Sequence, residues 1–282
     1  MTHAIQAGST GAVRAGFTGA VRAELLKFFT TRLWWGMAIA VAVCAAGFSV
    51  LFGVLLTSDL PADAAGPGGL PTGDATQVAN IVYTGGVSVG YLLMLTIGVL
   101  QIRSEYRHKT ITGTLLSVPR RARAMAAKVV ALLGLGALYG LLSVVVSVGV
   151  GALVLQLRDV DPFPSTEVVR TIALSLLVLS LWALIGLGVG ILIPNQVAAL
   201  LIGVGAAWIV EPIVGLALRA TEIGNDHIAP YLPSAATNAV LRTVESPGEV
   251  RLEWWLAALV LAAYAAVLAG FGTWRVVRQD IS

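Results

Sequence analysis

Charge is what this chain has least of. Only 12% of its 282 residues are Asp, Glu, Lys or Arg, about half the roughly 25% usual in soluble domains. There are three lysines, Lys27, Lys109 and Lys128, preceded by Leu, His and Ala. A phosphate-binding loop needs Gly-Lys followed by Ser or Thr, so ATP is not bound here by that motif. The three histidines, His3, His108 and His227, form no HExxH and no pair at metal-ligand spacing, which argues against a zinc-dependent intramembrane protease. Cys44 is the one cysteine, excluding an intrachain disulfide and a cysteine-based metal cluster. The glycine runs GLGALYG (134–140) and GLGVG (186–190) lie in apolar stretches without the strand-turn-helix context of a dinucleotide site. Close helix packing through Gly136/Gly140 and Gly186/Gly190 is the expected use of such small residues.

What is present is grease. Hydrophobic residues make up 57% and the mean hydropathy is +0.86. A hydrocarbon layer of about 30 Å takes roughly 20 apolar residues as helix, and six stretches fit: about 33–56, 83–102, 128–156, 171–193, 197–218 and 254–274. The polar stretches between them are too short to bury a core of their own, so residues 1–282 read as one all-α transmembrane domain. Residues 1–32 form a tail and leading helix, 33–274 the six spans and 275–282 a second tail. An even number of spans puts both termini on one side. That side holds Arg14, Arg22, Lys27, Arg32, Arg103, Arg107, Lys109, Arg120, Arg121, Arg123, Lys128, Arg275 and Arg278, 13 of the 18 basic residues. The other side holds Arg158, Arg170, Arg219, Arg242 and Arg251, the remaining five. The excess marks the termini as cytoplasmic, and the expected location is the plasma (inner) membrane. Trp34, Trp35, Trp254, Trp255 and Trp274 mark span ends as interfacial aromatics do. The basic residues flank apolar runs without aromatic platforms between them, which points to lipid headgroups or an acidic protein partner and away from nucleic acid.

Four segments stand out from this frame. Ahead of the first span, Phe17, Val21, Leu25 and Phe28 recur at helical spacing, an apolar stripe suited to an interfacial helix, with Glu24 as a flaw in it. The loop 57–82 is rich in Pro and Gly, has no Lys or Arg, and reads as an acidic surface loop without a site. Between the second and third spans, RSEYRHKTITGTLLSVPRRARAMAAK (103–128) concentrates seven basic residues. After Glu105, the positions Ile111, Leu115 and Val118 fall at i, i+4 and i+7, one greasy face on a short helix that Pro119 stops. Arg107, Lys109, Arg120 and Arg121 surround that face, giving a docking element for a cytoplasmic partner. Near the opposite side, Glu211 is the one ionisable residue well inside a span. A carboxyl there is expensive unless paired, protonated or wet, and Pro212 beside it predicts a helix break open to outside water. Residues 219–253 mix apolar and polar positions and are expected to form short helices dipping toward the membrane.

RAELLKFFTTRLWW (22–35), EYRHKTITGTLLSVPRRARAMAAK (105–128), WIVEPIV (208–214) and YLPSAATNAV (231–240), in this order and spacing, resemble the membrane subunits of type-2 ATP-binding-cassette transporters, especially the actinobacterial six-span permeases. The resemblance covers nearly the whole chain; Lys109-Thr110 stands where similar chains often carry Gly-Thr. It implies an interfacial connecting helix, a cytoplasmic coupling helix around Glu105 to Arg121 that contacts an ATPase, and an outer re-entrant or gate region with Glu211, Pro212, Tyr231 and Pro233. It also implies export driven by two ATPase subunits on a pair of permeases, identical or related, with ATP and Mg²⁺ on the ATPase and no cofactor on this chain. The rival reading is a membrane enzyme with Glu211 and His227 as acid and base near the outer surface.

Overall fold

The computed structural model describes residues 16–58, 74–107, 121–242 and 250–278. Among them there is helix and no strand: α1 Phe17–Phe29, α2 Leu33–Leu56, α3 Ala75–Thr84, α4 Val87–Arg107, α5 Arg121–Gln156, α6 Thr166–Leu192, α7 Gln196–Gly205, a π turn Ala206–Val210, α8 Glu211–Arg219, α9 Glu222–His227, a 3₁₀ turn Ala229–Tyr231, α10 Pro233–Leu241 and α11 Trp254–Arg278. Six stretches are long and apolar enough to cross a membrane: Leu33–Leu56, Ala75–Glu105, Ala122–Gln156, Thr166–Leu192, Gln196–Arg219 and Trp254–Trp274. Of the expected docking face, Lys109, Ile111, Leu115, Val118 and Arg120 lie outside the described residues, and Arg107 and Arg121 are the helix-end residues that flank them.

Several helix starts are set by short polar side chains that accept from otherwise unpaired N–H groups. Asp74 accepts from the Gln77 N–H at 2.9 Å, Ser165 from Glu167 at 3.1 Å, and Asn195 from Val197 and Ala198 at 2.9 and 3.1 Å. The Asp74 cap accounts for one departure from the sequence reading. Residues 75–82 look like the end of a polar loop, yet they are helical, and Ala79, Val82 and Tyr83 are buried against Leu155 of α5 and Val168 of α6. Two hydroxyls bond to its backbone: the Thr84 hydroxyl donates to the Asn80 carbonyl at 2.6 Å, and the Ser49 hydroxyl of α2 to the Val82 carbonyl at 2.9 Å. A second departure is the start of α5, at Arg121 rather than 128. Arg121 and Arg123 make this stretch read as loop, but Ala122, Ala124, Ala126 and Ala127 are the best helix formers. At 36 residues and 1.5 Å per residue, α5 is about 54 Å long, well beyond a hydrocarbon layer of about 30 Å. Its leading turns carry Ala124 and Ala127, on which Ala20 of α1 packs.

α6 is the central element, packed on α4, α5 and α11. Small residues permit this. A Cβ on Gly186 would lie 2.1 Å from the Leu95 carbonyl oxygen of α4, one on Gly98 of α4 2.1 Å from the Ala183 carbonyl oxygen, and one on Gly136 of α5 2.5 Å from Ser180 Cα. With lipid as apolar as the side chains, such backbone proximity and its dispersion contacts hold the helices together. α2, α7 and α8 instead present Ile39, Val43, Leu51, Leu201, Ile213 and Leu216 outward, as lipid-facing helices do.

Candidate functional site

Two polar groupings break the apolar interior, one toward each end. The first is built by three helices. Glu24 and Lys27 stand three residues apart on α1, and the stripe Ala20, Glu24 and Phe28 is the buried one. α4 brings Glu105 from its last turns and α5 brings Lys128 from its second turn. Lys27 Nζ lies 2.7 Å from Glu24 Oε1 and 2.6 Å from Glu105 Oε1. Lys128 Nζ is bonded to Glu24 Oε2 and lies 3.2 Å from Glu105 Oε1. Two ammoniums and two carboxylates alternate, so the cluster is neutral. Glu24, Glu105 and Lys128 are buried, while Lys27 keeps 39% of its side chain in contact with solvent. Nearby, Gln101 Nε2 donates to the Glu24 carbonyl at 3.4 Å, and the buried Arg103 donates to the Pro194 carbonyl. The cluster ties the leading helix to both ends of the segment 108–120.

Burial alone would raise the Glu24 pKa, but the ammonium of Lys128, followed by that of Lys27, outweighs it and holds the carboxyl below its ordinary 4.5. For Lys27 burial acts downward, and hydrogen bonds to Glu105 and Glu24 raise it above 10.5. Glu24 thus contributes stability above its unfolded value and loses it as pH falls through its lowered folded value. Lys27 contributes below 10.5 and loses it as pH rises through the raised one. Anchoring of α1 should therefore be independent of pH across the neutral range and weaken only at pH below about 4, within the carboxylate range. Protease cleavage within residues 17–32, followed from pH 7 to pH 3 with an acid-tolerant protease, checks this; α1 release between pH 5 and 7 would contradict it.

The second grouping surrounds Glu211. The span does not break here as Pro212 led us to expect: the backbone stays helical, and the Glu211 N–H donates to the Ala206 carbonyl, five residues back. One extra residue in a turn rotates the downstream part of a helix by about 100° relative to the upstream part, and Pro212 then falls in the first turn of α8, where a missing N–H is harmless. Glu211 Oε1 accepts from the Ser234 N–H of α10 at 3.2 Å. Its other oxygen is buried and has no hydrogen-bond partner among the described residues. Glu211 lines two hollows. One, of about 420 Å³, is mixed in lining, with Ser88, Tyr91, Ser234, Asn238 and Arg219 among apolar residues such as Leu216 and Leu232. The other, of about 330 Å³, is apolar, between α6, α7, the π turn and α11, with Trp182, Ile202 and Tyr264. Pro233 borders the apolar one, whereas Tyr231 is exposed in the 3₁₀ turn. His227, exposed at the end of α9, borders neither. α10 is fixed to the bundle by the Trp182 Nε1–H donating to the Thr237 hydroxyl at 2.9 Å.

Sequence reasoning found Glu105 and Glu211 but missed that Glu24, Lys27 and Lys128 belong with Glu105. The signal was available: the basic side of the chain has three acidic residues, and two of them meet two of the chain's three lysines. No protein-family model and no curated protein sequence matches the chain.

Proposed function

We propose that this chain is the membrane subunit of an ATP-binding-cassette exporter of the type-2 kind, moving a hydrophobic or amphipathic substrate across the plasma membrane with its termini in the cytoplasm. The reading rests on the resemblance of its segments and, in the structure, on one observation above others, the four-charge cluster of Glu24, Lys27, Glu105 and Lys128. The segment that would dock the ATPase leaves α4 at Arg107, two residues after Glu105, and enters α5 at Arg121, two turns before Lys128. Because both residues are bonded to α1, a displacement of that segment moves the interfacial helix and two spans together. In this mechanism the ATPase binds ATP and Mg²⁺, its closure pushes on residues 105–121, and the cluster passes the push to the bundle as a rigid unit. A second permease, identical or related, completes the pathway at the exposed faces of the bundle. His227 lines neither hollow at Glu211, which favours the transport reading over the enzymatic one.

The test is capture of a phosphate-loop ATPase encoded beside this chain by the tagged permease. Leu115→Asp puts a charge in the apolar docking face, where burying it unpaired costs several kcal/mol. It should abolish capture and transport-coupled ATP hydrolysis while the spans stay folded. Retention of full capture by Leu115→Asp would overturn the assignment of residues 105–121.

A further inference from the structure

We propose that the apolar hollow ending at Glu211 is a binding site for a lipophilic organic cation, whose hydrophobic body fills the cleft and whose positive charge faces the carboxylate of Glu211. The cleft lies between α6, α7, the π turn and α11, and its walls include Leu95, Trp182, Val189 and Tyr264. Its volume of about 330 Å³ is at the lower end of the range for drug-sized ligands, about 300–1,000 Å³. Glu211 is the one charged residue among the described residues lining it. One carboxylate oxygen is held by the Ser234 N–H, and the other is buried without a partner. An anion at the end of an otherwise apolar cavity selects charge sign more strongly than shape, because low-dielectric walls leave the charge–charge term unscreened.

Access is lateral. Ile202, which borders the cleft, is 56% exposed, and Ala206 on the π turn is exposed at its mouth. A ligand can therefore enter from the hydrocarbon layer, where lipophilic cations accumulate. The π turn makes this possible: without its extra residue Glu211 would stand about 100° away on the helix. On the far side of the same carboxyl lies the second hollow, with Ser88, Asn238 and Arg219. As a substrate class the cation rests on the transport reading; as a binding site it does not.

The experiment uses the full chain in phosphatidylcholine nanodiscs and the radiolabelled cation tetraphenylphosphonium, with its anionic isostere tetraphenylborate measured in separate samples. Saturable binding of the cation at least tenfold tighter than of the anion is expected. Glu211→Gln should weaken the cation at least tenfold and leave the anion unchanged or tighter. Ala206→Phe, which fills the exposed mouth and keeps the carboxylate, should weaken the cation as much and decides the matter if Glu211→Gln does not fold. Equal binding of the two ions, no saturable cation binding, or unaltered cation binding in both variants overturns the proposal. Cation binding without ATPase capture leaves the site standing and removes the exporter reading; capture without cation binding does the reverse.

Discussion

Lys128→Met is expected to destabilise the folded chain by about 3–5 kcal/mol, the range for breaking a buried ion pair by removing one partner. The reason is charge counting in a dry place. Lys128 and Glu24 are 2% and 3% exposed, and removal of the Lys128 ammonium takes one cation away from each of the carboxylates of Glu24 and Glu105. Glu24 Oε2 loses the ammonium bonded to it, while Oε1 keeps Lys27 at 2.7 Å. Glu24→Gln errs in the opposite direction, leaving two ammoniums on Glu105, and should be similarly harmful. The double variant removes one charge of each sign and retains the Lys27–Glu105 pair at 2.6 Å, so it should recover about 1–3 kcal/mol relative to the sum of the singles. Lys27→Met should be milder than Lys128→Met, because 39% of the Lys27 side chain is exposed and water can reach the carboxylates it leaves. Reversible denaturation in mixed micelles measures all four. A loss under about 1 kcal/mol for Lys128→Met, the scale of an exposed ion pair, would show that the cluster is not a buried one.

Gly186→Val should prevent α6 from seating on α4, a loss beyond the usual 1–3 kcal/mol or so of an overpacked core. A Cβ at this position meets the Leu95 carbonyl oxygen at 2.1 Å and the Leu95 Cα at 2.8 Å. Both are backbone atoms, which no rotamer change can move aside. Since Gly98 makes the reciprocal approach to Ala183 and Leu187, relief would require the helices to separate along the length of their crossing. That crossing carries Leu95, Val99 and Ile102 on one side and Ala183, Leu187 and Ile191 on the other, all buried. Gly134→Ala is the matched control: nothing lies within 4 Å of its added Cβ, and alanine is the better helix former by up to about 1 kcal/mol. The yield of monodisperse protein in detergent should collapse for Gly186→Val and hold or rise for Gly134→Ala. Equal yields would mean that α4 and α6 do not pack through this glycine.

Hydropathy along the chain was enough to determine the six apolar helices and most of their boundaries, because a span needs only length and composition, properties that one-dimensional reading measures directly. α2 begins and ends at Leu33 and Leu56 as hydropathy placed it, and the glycine pairs at 136/140 and 186/190 were legible because small residues spaced by four on a helix have few other uses. Where the chain mixes signals the reading slipped. Residues 75–82 and 121–127 looked like loop because they carry polar and charged side chains, whereas the Asp74 cap and the burial of Ala79, Val82, Ala124 and Ala127 against neighbouring helices, which make them helical, do not appear in a linear pattern. The choice of partners was made in three dimensions alone. Glu24 reads as a flaw in an apolar stripe until Lys128, 104 residues away, is placed against it; Pro212 reads as a break until a π turn shifts it into the first turn of α8. The common reason is that desolvation penalties depend on what surrounds a group in space. A charge or an unpaired carbonyl is costly or harmless according to neighbours that the order of residues does not name.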